Sequence, residues 1–193
     1  MAVVNYNQSN AVVFKNATGM TITPYVRNQS TGAWELGENE YDISEIMADT
    51  VSIEPEDNEV NSIDAEFRDT PLIQSISLGA VNFTCTCIDM QNGIMKNIFG
   101  WEEANDSVYA PTSYKEMFAA IKVTFADAPT IALPFVQMNS KAVISTLKTG
   151  TAQGTISGTA NLGSITISSS AKNTTWAFIK KGTSFTMGAV TSA

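Results

Sequence analysis

The sequence predicts a mainly β protein: a β-sandwich or half-barrel with one short α-helix, at about residues 92–100, and long loops. Three observations predict it. In residues 70–100, TPLIQSISLGAVNFTCTCIDMQNGIMKNIFG, the side chains Val81, Phe83, Cys85 and Cys87 alternate with Asn82, Thr84 and Thr86. That period of two marks a half-buried strand. Short apolar runs recur along the chain with turn signals between them, as in packed antiparallel sheets. A helical spacing stands out at Ile94, Met95, Ile98 and Phe99, and Gly100 ends it.

Taken in order, residues 11–15 (AVVFK) and 20–26 (MTITPYV) read as strands, and Pro24 places the second at a sheet edge. Residues 28–37, with Gly32 and Gly37 around Trp34, read as loop. Residues 41–47 (YDISEIM) fit either a helical turn or a strand. Val51 and Ile53 mark a strand over 50–54. The acidic stretch 54–69 follows, with six carboxylates from Glu54 to Glu66 and few apolar anchors. Such a segment buries too little surface to order itself, so it is expected to be a loop that orders on a neighbouring subunit. Ile76 and Leu78 run out of phase with Val81, and a bulge at Gly79-Ala80 would bring both runs to one core.

Residues 101–116 form a polar connector in which Ser113 and Glu116 have capping-box spacing, allowing a helical turn. Ile121, Val123 and Phe125, then Ile131, Leu133 and Phe135, make a hairpin through the ADAPT turn. Pro134 places its second strand at an edge or bends it. Residues 141–148 (KAVISTLK) give another strand. Residues 149–175 are rich in Ser, Thr and Gly, with a GT dipeptide at 150, 154 and 158, and Ile165 and Ile167 alternate against Thr166 and Ser168. Trp176 and Phe178 mark a last aromatic strand, and 182–193 reads as a mobile tail. The whole of 1–193 is expected to form one β domain.

Composition excludes most chemistry. The chain has no His, removing the commonest general base and transition-metal ligand. Cys85 and Cys87 lie on one face of a strand, where a disulfide would be strained, so they are expected to be buried reduced thiols. The DNEVNSIDAE run lacks the spacing and mid-loop Gly of a calcium loop, and no phosphate-binding or nucleophile-elbow motif occurs. No enzyme activity, metal or cofactor is expected. A net charge of −8 argues against a grip on nucleic acid through its phosphates. There is no apolar run of membrane-spanning length and no secretory signal is expected.

Charge is strongly segregated. Thirteen acidic residues and one base, Arg68, lie between Glu35 and Asp69, whereas no acid follows Asp127. The last third carries Lys141, Lys148, Lys172, Lys180 and Lys181. This pattern fits either a solvated acidic loop with a basic tail or copies that associate head to tail, acidic segment on basic segment.

The order of these features resembles that of bacteriophage tail tube proteins, the major tail proteins of long-tailed phages. The matching pieces are the acidic EPEDNEVNSIDAEF, the strand SISLGAVNFTCTCID, the helix NGIMKNIFG and the later strand pair, over residues 50–180. Residues 149–175 have no match in that pattern. Inner-tube proteins of contractile tails and of type VI secretion share the architecture. The resemblance implies a virion structural protein, assembled in the host cytoplasm, whose sheets complete a large barrel in a ring of six copies. Stacked rings form a tube through which DNA passes without specific binding. It implies the tape-measure protein and the tail terminator and baseplate proteins as partners. Ring-contact candidates are then Glu54, Glu56, Asp57, Glu59, Asp64 and Glu66 on one side and the five lysines on the other. Asn82, Thr84 and Thr86 either line the lumen or form a solvated face. The competing reading is a β-sandwich that binds carbohydrate or decorates a surface. Of its three tryptophans, Trp101 and Trp176 fit a core and Trp34 alone fits an exposed ring.

Overall fold

The computed structural model describes residues 17–43, 45–47, 50–63, 73–88, 91–113, 115–143 and 153–189. Its strands are β1 (Ala17–Arg27), β2 (Trp34–Leu36), β3 (Tyr41–Ile43), β4 (Ser52–Pro55), β5 (Glu59–Ile63), β6 (Ile73–Ser77) and β7 (Val81–Cys87). Helix α1 (Asn92–Asn97) follows, then β8 (Glu102–Ala104), β9 (Ser107–Tyr109), β10 (Phe118–Phe125), β11 (Thr130–Met138) and β12 (Lys141–Val143). The last third adds β13 (Gln153–Asn161), β14 (Gly163–Ile167), β15 (Ser170–Thr174), β16 (Ala177–Ile179) and β17 (Thr186–Ala189). The expected strand at 11–15 and residues 144–148 of the expected 141–148 strand lie outside the described residues.

The protein is mainly β, and its sheets are antiparallel. The main sheet runs β2-β1-β10-β11-β13-β7-β4, with β3, β16 and β12 added beside β1, β11 and β13. A bridge between Ile46 and Cys87 ties the chain beyond β3 to the far side of this sheet. The sheet curls into a half-barrel without closing. Its concave face holds the main core: Met20 and Ile22 of β1, Ile121 of β10, Leu133 of β11, Phe83 of β7 and Ile156 of β13, all with no measurable exposure. The Cys85 thiol reaches the Met20 sulfur at 3.8 Å, packing β7 against β1 across this core. Helix α1 caps it with Ile94 and Met95, followed by Ile98 and Phe99. Gly100, at φ +72°, ends the turn as expected.

A small sheet, β15-β14-β17, covers part of the opposite face. There Tyr25, Phe118 and Ala120 pack with Phe135 and Met187, and Ala132 with Ile165 and Ile179. Phe118 and Phe135 stack at 4.6 Å between ring centroids. The 186–189 part of the expected mobile tail is therefore a paired strand. Met187, held opposite Ile165, supplies apolar contact that fixes it.

Pro24, read as an edge signal, lies inside the sheet, and so does Pro134, where the bend rather than the edge is found. Pro24 faces Ala119 of β10, while on its other side β3 covers residues 20–22 and β2 covers 25–27. It falls in the gap between those two strands, and its carbonyl accepts from Gly37 N at 2.9 Å. Pro134 likewise falls between β16, paired to 130–132, and β13, paired to 135–138. The β10–β11 register slips there, with Ala119 opposite Val136 but Ile121 opposite Leu133. Pro134 and Phe135 thus form a bulge, where the missing N–H costs no ladder bond. The Tyr25 hydroxyl donates to the Pro134 carbonyl at 2.8 Å.

Four further expectations change. The loop at 28–37 contains β2, and of the open 41–47 segment Tyr41–Ile43 is strand and Ile46 makes an isolated bridge. The polar connector 101–116 contains the β8–β9 hairpin, turned by Asn105 and Asp106 at φ 50° and 58°, and no helical turn occurs among its described residues. Positive φ at both turn residues matches the strand twist, and Asn and Asp tolerate it best after Gly. No bulge forms at Gly79-Ala80 either. The chain there leaves one sheet for another, because β6 pairs with β5 in a separate hairpin. Residues 59–63 of the acidic stretch are accordingly strand.

Burial pushes the Cys85 thiol up to about 12, with the neighbouring Cys87 adding to it. Neither thiol forms a disulfide, and both are buried. Thiol-specific reagents at pH 8 are therefore expected to label the native protein at well under a tenth of the unfolded rate; fast native labelling of two thiols would contradict this packing. A Cβ at Gly154 would enter the Phe99 ring. Gly154→Val is expected to cost about 1–3 kcal/mol in denaturant unfolding, whereas Thr155→Val, one residue along and facing outward, should cost far less.

Candidate self-association surfaces

Strands have two faces, and the face of β7 opposite the core is the first candidate surface. Asn82, Thr84 and Thr86 lie on it, Thr84 exposed and the others half-buried. Strand β13 runs beside β7 in an unbroken antiparallel register, placing Thr159 opposite Asn82, Ser157 opposite Thr84 and Thr155 opposite Thr86. Strand β4 extends the rows on one side, with Glu54 opposite Asn82 and Ser52 opposite Thr84. On the other side Gln137 of β11 pairs with Thr159, and Lys141 of β12 with Thr155. The result is a sheet face of hydroxyls and amides, with Glu54 and Glu56 at its β4 margin and Lys141 at its β12 margin.

Hydrogen bonds hold these short side chains in place. Thr159 donates to Asn82 Oδ1 at 3.2 Å, and Asn82 Nδ2 donates to Glu56 at 2.9 Å. Ser52 donates to Glu54 at 2.7 Å, and Ser157 to the Asn139 carbonyl at 2.7 Å. Thr50 accepts from the Thr86 backbone N–H at 3.0 Å. A cross-strand polar pair such as Thr159–Asn82 adds a few tenths of a kcal/mol to about 1 kcal/mol.

Thr155, Ser157 and Thr159 are missing from the expected site, and the reason lies in their neighbours. The inward positions of β13 are Gly154, Ile156, Gly158 and Ala160. Glycine carries no hydrophobic signal, so the alternation is faint. The GT dipeptides at 154 and 158 nevertheless encode it: a spacing of four is two strand repeats, which puts both glycines inside and both threonines outside. A Cβ at Gly158 would press on the Gln137 carbonyl and Val136.

The second candidate is the acidic arm. Among the described residues strands β5 and β6 pair only with each other, and five paired residues at ~3.3 Å rise give roughly 17 Å of ladder. The base of the arm is fixed. Glu56 N donates to the Ala80 carbonyl at 2.8 Å, and Gly79 N to Asn58 Oδ1 at 3.2 Å. Gly79 lies so close to the Glu56 and Asp57 carbonyls that no side chain fits. Glu54, Glu56, Asp57 and Glu59 are all exposed around this base. Asp64 and Glu66 lie outside the described residues.

The lysines do not form one cluster. Lys141 lies on β12 at the margin of the polar face, and Lys172 on β15 of the small sheet. Lys180 and Lys181 follow β16, where Lys181 donates to the Ala126 carbonyl. All four are exposed, and Lys148 lies outside the described residues. Among the described residues the ion pairs are Lys96–Glu103 at 2.9 Å and Lys122–Glu40 at 2.8 Å. Lys122 holds the Glu40 carboxyl below its ordinary range. Neither pair joins the acidic arm to the basic residues of the last third.

Trp34 is not an exposed platform. Its ring lies 4.7 Å from that of Phe118 and packs on the second core. Trp101 and Trp176 are partly buried against the main core. No group of metal-ligating side chains occurs among the described residues, and no described helix is long and apolar enough to cross a membrane.

No protein-family model matches the chain, and no curated protein matches it in sequence. Among solved structures it is similar to a chain of the six-fold-symmetrised cryo-EM structure of the anti-feeding prophage (AFP) baseplate. The two share 7% identity at a TM-score of 0.38, over 88% of this chain and 99% of the other. A likeness of this size assigns neither family nor function.

Proposed function

We propose that the chain is a structural virion protein, the subunit of a tube of the phage-tail kind. The observation that carries this reading is the hydroxyl and amide face on β4, β7, β13 and β12, bounded by two strands with open edges. Among the described residues β4 pairs only with β7, and β12 only with β13. An unpaired edge is a template for another strand. Setting β4 of one copy against β12 of the next continues the sheet and brings Glu54 beside Lys141. Repeated around an axis, with six copies expected, this operation closes a large barrel and leaves no free edge.

The polar face then lines the lumen. Asn82, Thr84, Thr86, Thr155, Ser157 and Thr159 offer DNA no cation, and the base on this face, Lys141, is matched by Glu54 of the next copy, so phosphates find little counter-charge to hold them. Rings stack through the acidic arm on one side and the basic last third on the other. The protein has no catalytic role in this reading, and DNA passes without specific binding. The tape-measure protein occupies the lumen, and terminator and baseplate proteins meet the tube ends. Assembly takes place in the host cytoplasm.

Negative-stain microscopy of the purified protein tests the reading. Rings or tubes are expected, and a monomer at every ionic strength would overturn it. Exposed ion pairs contribute only about 0–1 kcal/mol each, so a cluster must be changed to see an effect. Glu56→Lys, Asp57→Lys and Glu59→Lys combined are expected to shorten tubes severalfold while leaving the thermal unfolding midpoint near wild type. Wild-type tubes should also shorten between 0.05 and 0.5 M salt, since exposed charges are screened beyond about 10 Å at 0.1 M.

A further inference from the structure

The small sheet carries an open apolar groove of about 560 Å³, lined by β14, β15 and β16. Ile165, Ile167, Ala177 and Phe178 supply its apolar wall, with Lys172 and Asn173 also lining it. The Phe178 side chain remains 52% exposed. Lys180 follows directly on β16, and no acid occurs in the chain after Asp127. The groove is therefore apolar within and positive around.

The acidic arm has the complementary character. Leu78, at its base, is 86% exposed, and Val60 on β5 is 56% exposed. Both lie among Glu56, Asp57 and Glu59, which are exposed as well. Two large aliphatic side chains left in water on one short hairpin forgo the stabilisation that burial would give them. Apolar within and negative around, the arm carries the reverse charge of the groove.

We infer that the groove of one copy receives the β5–β6 arm of another, with Leu78 and Val60 against Phe178 and Ile167 and the arm's carboxylates beside Lys172 and Lys180. The inference rests on the self-association proposed above and names the two surfaces that perform it between stacked rings. The contact is heterologous: each copy uses its arm on one neighbour and its groove on another, so it propagates without closing. Burial supplies affinity, and the charges set register and encounter rate.

Disulfide trapping on the full chain tests it. Leu78→Cys is prepared as one variant and Asn173→Cys as another, one of them carrying an affinity tag so that mixed dimers are distinguished by mass. Cys85 and Cys87 are buried and do not compete. Mild oxidation of an equal mixture is expected to convert up to about half of the protein to mixed dimer, because a Leu78→Cys arm meets an Asn173→Cys groove in one of every two contacts. Adding Phe178→Glu to the groove variant should reduce that yield at least tenfold. Substituting Tyr109→Cys, exposed on β9, for Asn173→Cys should give only background. Equal yield from the Tyr109→Cys control would overturn the inference. Tubes without the mixed disulfide would sink the groove contact while leaving the tube standing. Mixed dimers without tubes would keep the contact and remove the tube, and the absence of both would remove both.

Discussion

The β7–β13 ladder is the constraint on which the rest depends, because a single register fixes both the core and the polar face. Seven successive residue pairs join Val81–Cys87 to Gly154–Ala160. Alternate positions send Phe83, Cys85 and Ile156 into the core and Thr84, Thr86, Thr155 and Ser157 away from it. A slip of one residue would exchange the two sets, burying hydroxyls and exposing Phe83. The core therefore enforces the order of the polar face. Gly154 tightens the restraint, since Phe99 of the α1 segment occupies the space a larger residue would need.

How much of this is legible in the sequence varies with the carrier of the signal. Strand β7 and helix α1 are plain, because large apolar side chains mark their periods. Strand β13 is faint, because two of its inward residues are glycines chosen for close packing, and hydropathy does not register them. Pro24, and the edge alternative at Pro134, mislead for a different reason. A proline signals a missing donor, and an edge is the usual place to lose one. Here each donor is lost where two partner strands meet end to end, a tertiary arrangement that local sequence does not specify. The arm misleads through composition: carboxylates suggest a solvated loop, yet Val60 and Ile76 occupy one cross-strand position and the backbone ladder does the ordering. Of the candidate site, Asn82, Thr84 and Thr86 follow from alternation alone. Their partners on β13 and β4 require pairings between segments far apart in the chain.

The second layer explains why β10 is so apolar. From Phe118 to Ile121 every residue is buried, because this part of the strand lies between the main core and the small sheet. Ala119 and Ala120 are small where Pro24 on one side and the Pro134 bulge on the other crowd the strand. Beyond Ile121 the small sheet no longer covers β10, and Lys122 reaches out to Glu40. The burial pattern of one strand thus records where the sandwich ends.

Open edges create a hazard that the same strands limit. An unpaired strand accepts any extended chain, so a subunit built to pair through its edges needs a means of rejecting other partners. Strand β4 is four residues long, carries Glu54 and ends in Pro55; β12 is three residues long and begins at Lys141. Short length limits what a stray peptide gains, and a like charge at either edge opposes β4-on-β4 or β12-on-β12 pairing. The remaining combination, β4 on β12, would join unlike charges and run in one direction around the proposed ring. In the proposed tube, selectivity of this kind comes as much from the rejected pairings as from the accepted one. Because each edge offers only three or four residues, no lateral contact in the proposed tube would be strong by itself, and closure of the ring would stabilise the set of contacts.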